Sequence, residues 1–306
     1  MRKIKLLYVL FALFLMVSGV FAQGTWTTQT NPVSGRDVNS ASAVDANTCW
    51  MCGATTSTTL GYVIRTTNGG TTWTNVTGNM PSSTFGLYTI SAISVNEAWV
   101  GASDGGVYHT TNGGTNWTFV TLPSPATAFV DVIHFFNQNI GFIIGDPSGG
   151  NWCYYWTTNA GANWTWGPAP SASGTEAGWN NAYCVLDSHN IWYGTNNTKI
   201  YKGGLRSGFT AQTTVGVNSF GIAFCNATTG VATMTNASYA VLPNNVTVNG
   251  GTTWTAGFTP AGVQFGLKAI IGTPYVFMSG ARTSGGGIYL STNYGVNWTS
   301  IYTTGT

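Results

Sequence analysis

The sequence predicts an all-β protein: a propeller of six four-stranded blades, with seven as the alternative count, and an Asp-box-like turn between the third and fourth strands of each blade. Three observations predict it. An eight-residue unit recurs along the chain, its spacing matches the length of one propeller blade, and no segment beyond residue 22 keeps a 3.6-residue apolar period.

The unit reads Thr66 to Trp73, Thr110 to Trp117, Thr157 to Trp164, Thr247 to Trp254 and Ser291 to Trp298. A degenerate copy, Lys202 to Phe209, fills the gap between the third and the next full copy, and Trp26 matches the strand that follows each unit. The anchor aromatics at 26, 73, 117, 164, 209, 254 and 298 are 44 to 47 residues apart, the length of a four-stranded blade. Between anchors lie short β-branched and aromatic runs, such as Tyr88 to Val95, Ala98 to Ala102 and Val107 to Thr111, separated by turn residues. Seven fourth-strand candidates against six intervals leave the count open. The ring closes either by pairing the Trp26 strand with the last blade or by a partial seventh blade, and a surplus strand is open to donation.

The turn chemistry follows from its residues. Asn then Gly supplies positive-φ positions, the Asn or Thr side chain bonds nearby N–H groups, and the Trp packs back over the corner. We therefore assign Asn68, Gly70, Trp73, Asn112, Gly114, Trp117, Asn159, Gly161, Trp164, Asn249, Gly251, Trp254, Asn293, Gly295 and Trp298 to structure and none to catalysis.

Residues 1–22 read as an export leader: Arg2, Lys3 and Lys5 precede an apolar run from Leu6 to Val17 that ends in Val20-Phe21-Ala22. The run is too short for a membrane span. The expectation is a secreted, extracellular or cell-surface protein, with the periplasm as the other compartment, and one propeller domain over 23–306. Without the leader, seven basic residues face eight acids, a formal charge of −1. That excludes the basic stripe nucleic acid requires. Charged residues make up 6% of the chain against roughly 25% in ordinary domains, so its surface is dressed in Thr, Asn, Ser and Gly. Such a surface favours association.

These units resemble the Asp-box, or BNR, propellers, whose pattern is Ser/Thr-x-Asp-x-Gly-x-x-Trp; their members include sialidases, sortilin-type receptors, xyloglucan-active hydrolases and photosystem II assembly propellers, and this chain looks like a secreted bacterial member. Asn68, Asn112, Asn159, Asn249 and Asn293 stand where that family usually has Asp, which keeps the acceptor oxygen and removes its charge. The sialidase branch implies three converging arginines. Arg36, Arg65, Arg206 and Arg282 do not reproduce that arrangement, and the arginine motif that opens true sialidases is absent.

Other chemistry is sparse. Glycoside hydrolysis needs two facing carboxylates; Asp37 and Asp131, at the starts of first strands, are the least ordinary pair, and Asp45, Glu97, Asp104 and Asp187 read as turn residues. Gly101-Ala102-Ser103-Asp104-Gly105 mimics a nucleophile elbow without the helix such an elbow needs. His109, His134 and His189 lack metal spacing, so no metal or cofactor is expected. Five cysteines leave at least one unpaired; Cys49 and Cys52 are too far apart along a strand to join, and Cys184 with Cys225 is the most plausible pair. Trp152, Trp156, Trp166 and Trp179, together with Glu176 in the irregular stretch 167–178, are the candidate binding residues. The functional expectation is a non-catalytic interaction or assembly module for a protein partner or copies of itself, and the alternative is a propeller that binds or hydrolyses polysaccharide.

Overall fold

The computed structural model describes residues 26–55, 60–81, 83–262, 264–280 and 287–303. The leader assigned to residues 1–22, and Arg282, lie outside the described residues. All the regular structure described is β: six antiparallel four-stranded sheets, each built from strands consecutive in sequence, form a six-bladed propeller. The first strands, Asp37–Ala43, Leu87–Ala92, Val130–Phe135, Gly178–Asp187, Asn218–Phe224 and Gln264–Ala269, pack on one another in turn and surround the axis. The fourth strands form the outer edge, and four of the six are only two residues long.

Period-two patterning explains how the blades stack. In blade 2, Ala98, Val100 and Ala102 of the second strand turn toward blade 1 and join Trp50, Cys52 and Val63 there; the intervening Trp99 turns toward blade 3 and joins Ile133, Ile143 and Tyr155. Trp152, Tyr193 and Tyr201 fill the junction of blades 3 and 4, Trp192 and Phe224 that of blades 4 and 5, and Val231 and Met278 that of blades 5 and 6. Each large apolar side chain sealed in this way stabilises the ring by roughly 1.5–3 kcal/mol. Blades 6 and 1 have no comparable cluster among the described residues, and their first strands do not pack together to the same extent.

The five full boxes share one hydrogen-bond scheme. Thr66 Oγ1 donates to Asn68 Oδ1 at 3.0 Å and accepts from Gly70 N at 2.9 Å, and Asn68 Oδ1 accepts from Thr72 N at 2.9 Å. The pattern repeats at 110–116, 157–163, 247–253 and 291–297. The second glycine has φ between 74° and 90° in every copy. It also abuts the preceding blade: a Cβ on Gly114 would strike Val76, one on Gly161 would strike Trp99, and one on Gly251 would strike Gln212. The box is therefore both a turn and a blade-to-blade seat.

The blade count resolves at six. The last blade takes the strand after Trp298, Thr299–Thr303, as its own outer edge, and Trp26 lies in a segment without strand structure. That segment bridges the ring ends instead. Trp26 meets Tyr302 with ring centroids 6.5 Å apart, Gln29 Oε1 accepts from Trp73 Nε1 at 2.8 Å, and Asn31 Nδ2 donates to Tyr62 Oη at 2.9 Å. All five cysteines are unpaired, and Cys184 Sγ accepts from Phe224 N at 3.3 Å instead of joining Cys225.

Candidate functional site

Boxes and first-to-second-strand hairpins share one face of the propeller; second-to-third-strand turns and blade connections share the other, the mouth face. The first strand starts at the mouth, and there every blade carries a β-bulge. Pairing with the second strand skips Asn39 in blade 1, Tyr88 in blade 2, Asp131 in blade 3, Phe220 in blade 5 and Phe265 in blade 6; in blade 4 the irregularity widens to residues 179–182. Bulges re-aim side chains and cluster beside functional sites. Each blade thus contributes its own residue to the mouth from an otherwise repeated wall.

Asn181, at φ 61°, crosses the axis from the blade 4 bulge. Its Nδ2 donates to Asn39 O at 3.0 Å and Tyr88 O at 2.8 Å, and its Oδ1 accepts from Ser40 Oγ at 3.0 Å. One side chain thereby ties blade 4 to blades 1 and 2 across the ring. Asn tolerates the left-handed conformation better than most residues.

The other half of the mouth is aromatic. Trp179 sits on Phe220 with centroids 4.4 Å apart, Phe220 meets Phe265 at 5.0 Å, and Trp179 meets Tyr239 at 6.0 Å. Tyr239 is held in the second-to-third-strand turn of blade 5, where Asn236 Oδ1 accepts from Ser238 N and Ala240 N. Tyr239 and Phe265 are 55% and 56% exposed, whereas Phe220 is buried beneath them. The Trp179 indole N–H is shielded and has no hydrogen-bond partner among the described residues, although such a group usually finds one.

Between these halves lie three carboxyl groups. Asp131 is 3% exposed, presses against Gly178 and leaves Oδ2 without a partner among the described residues; burial first, and then nearby Asp146, push its carboxyl well above the usual range. Burial also raises Asp146, against the pull of the bond that its Oδ1 accepts from Gly178 N at 2.8 Å. Asp131 therefore has Asp146 as its carboxylate neighbour, a different pairing from the expected one with Asp37. Glu176, also buried, meets Lys199 Nζ at 2.8 Å. Burial opposes its charge, but Lys199 and the Ser173 N–H and hydroxyl outweigh burial and hold its pKa down.

The structure disperses the other predicted binding residues. Trp152, expected at a binding surface, is fully buried against Tyr193 and Tyr201 because its third-strand position faces blade 4. Trp156 is half-buried under the Arg206 guanidinium, 4.5 Å from the ring, and Trp166 is exposed on the outer strand of blade 3. Of the four tryptophans proposed for binding, Trp179 is the one in the mouth cluster. Sequence reasoning missed Asn39, Tyr88, Asn181, Phe220, Tyr239 and Phe265. A separate groove of about 620 Å³ lies on the outer flank, lined by Trp99, His109, Phe119 and Trp164.

A family model described as Photosynthesis system II assembly factor YCF48 matches residues 14–155. No curated protein matches the chain. Among solved structures, "YCF48 bound to D1 peptide" is 16% identical with a TM-score of 0.66, covering 90% of this chain and 87% of that one. "YCF48 from Cyanidioschyzon merolae" is also 16% identical, with a TM-score of 0.63 and coverages of 91% and 90%. "Structure of U3-55K" is 8% identical, with a TM-score of 0.62 and coverages of 84% and 78%, a likeness of fold alone. The repeated boxes and six four-stranded blades make the chain a β-propeller with BNR-like repeats, similar over residues 14–155 to the YCF48 family.

Proposed function

We propose that this chain is a non-catalytic interaction module, exported from the cytoplasm, that holds a partner polypeptide on its mouth face. The observation that carries the reading is the aromatic half of the mouth: two exposed rings, Tyr239 and Phe265, stand on turn and bulge positions of a rigid scaffold beside the blades that Asn181 ties together. Rigid aromatics at the centre of an interface supply much of its affinity. The likeness to a YCF48 structure described as bound to a D1 peptide supports a peptide-sized partner. Export rests on the leader pattern of residues 1–22. The low charge of the surface favours association, with a second copy included among the partners.

The test selects peptides from a displayed library against the purified chain and titrates the best binder. Tyr239→Ala with Phe265→Ala should weaken binding at least about tenfold, roughly 1.4 kcal/mol, with the melting temperature unchanged because both rings are exposed. Equal affinity in the double variant refutes the mouth as the site. Glycan-array binding that is lost on Trp166→Ala would favour the polysaccharide alternative.

A further inference from the structure

A second surface stands apart from the mouth: the face of blade 1 turned toward blade 6. By repeat position, Cys49, Met51, Ile64 and Trp73 of blade 1 correspond to Ala98, Val100, Tyr108 and Trp117 of blade 2. In blade 2 those four are at most 6% exposed, sealed by Trp50, Cys52 and Val63 of blade 1. In blade 1, Cys49, Met51 and Trp73 are only half-buried and Val38 is 46% exposed. A cavity of about 480 Å³ runs over this face, lined by Val38, Cys49, Met51, Ile64 and Trp73. Gln29, from the bridging segment, caps its outer end by accepting from Trp73 Nε1. At the inner end Val38 is exposed.

We propose that this slot receives an uncharged, extended segment of a partner protein whose every second side chain is apolar. The repeat itself specifies the complement. The equivalent face of blade 2 is filled by Trp50 and Cys52, two residues apart on one strand, and by Val63, paired with Cys52 on the next. A segment with that alternation presents one apolar row to the slot. The charge of the lining agrees. Among the described lining residues the one carboxylate, Asp45, stands at the box end, where it accepts from Asn47 N and Thr48 N, and the floor of Val38, Met51, Ile64 and Trp73 offers a charged occupant no partner. The slot adjoins the mouth at Val38 but runs outward to Trp73, away from Tyr239 and Phe265, so a variant at Phe265 separates occupancy of the two.

The probe is an end-capped synthetic peptide of residues 49–64 of this chain, with Cys49→Ser and Cys52→Ala so that it carries no charge, and the readout is alkylation of Cys49 in the full chain, mapped by mass spectrometry. Cys49 lines the slot, while Cys52, Cys153 and Cys225 are buried. Saturating probe should slow Cys49 alkylation about tenfold or more, and the same peptide with Trp50→Lys should not. In the full chain, Val38→Asp should abolish protection with an unchanged melting temperature, while Phe265→Ala leaves protection intact. Unslowed alkylation at about 1 mM probe, or protection that survives Val38→Asp, overturns the inference. Protection that appears without probe, simply on concentrating the chain, assigns the slot to a second copy and overturns it too.

Discussion

Asn181→Ala tests the claim that a single side chain holds the mouth together. The substitution removes three hydrogen bonds, to Asn39 O, Tyr88 O and Ser40 Oγ, at 2.8–3.0 Å. At about 1 kcal/mol net each, they sum to about 3 kcal/mol. Ala must also hold φ 61°, which adds about 1 kcal/mol. A total of about 4 kcal/mol, at about 2–3 °C per kcal/mol for a domain of this size, lowers the melting temperature by about 10 °C. Asn181→Gly loses the same bonds without the backbone cost, so it should fall by about 7 °C. Calorimetry at neutral pH measures both, and hydrogen exchange should quicken around Asn39 and Tyr88. A melting temperature within about 2 °C of the parent for Asn181→Ala, or a Gly variant less stable than the Ala variant, refutes the reasoning.

Four further outcomes follow from the structure. Gly251→Ala, at φ 90° with Gln212 where its Cβ would lie, should cost about 3 kcal/mol by chemical denaturation, whereas Gly149→Ala, at φ 61° with no neighbour, should cost about 1 kcal/mol. Asp131 keeps its proton to a higher pH folded than unfolded, so stability is lost as pH rises above about 4; Asp131→Asn should raise the melting temperature at pH 8 and change little at pH 4. His134 runs the other way, because burial and then Lys268 bring it down to about 4: its stability is full above 6.5 and is lost as pH falls toward 4, and His134→Phe should flatten that acid limb. Lys199→Met strands the buried Glu176 carboxylate and should cost about 3 kcal/mol at neutral pH in the same denaturation assay.

The wall of the propeller was legible because it repeats. Boxes, anchor indoles and blade length are set by local turn chemistry and period-two packing, so one copy explains the others. The mouth was not legible for the opposite reason. Its residues occupy bulges, and a bulge is a register difference between two paired strands, invisible in either strand alone. Even the spacing is uninformative: Asn39, Tyr88, Asp131, Asn181, Phe220 and Phe265 follow their preceding anchors by 11 to 17 residues. Trp152 misled because a tryptophan in the third strand of a blade reads the same whether it faces solvent or the next blade. Trp26 misled in a subtler way: it matches the anchor pattern, yet with Thr299–Thr303 already closing blade 6 it has no sheet edge left to join.

The same separation explains how such a repetitive chain becomes specific. Stacking constrains the positions that face neighbouring blades, and there the copies resemble one another: a tryptophan at 50, 99 and 192 in the second strand, a glycine against the preceding blade in the boxes of blades 2, 3, 5 and 6. The bulge residue at the mouth escapes that constraint because its strand partner skips it, so it is free to differ from blade to blade. Here the six positions divide into a polar, hydrogen-bonded side around Asn39 and Asn181, an apolar side around Phe220 and Phe265, and the buried Asp131 between them. A partner that met only the repeated wall would bind in six orientations; one that meets this divided ring binds in one. The mouth therefore carries the orientation of any partner held there, and exchanging Phe265 with Asn39 should disturb binding more than either substitution to alanine, because it moves the apolar contact across the axis while preserving composition.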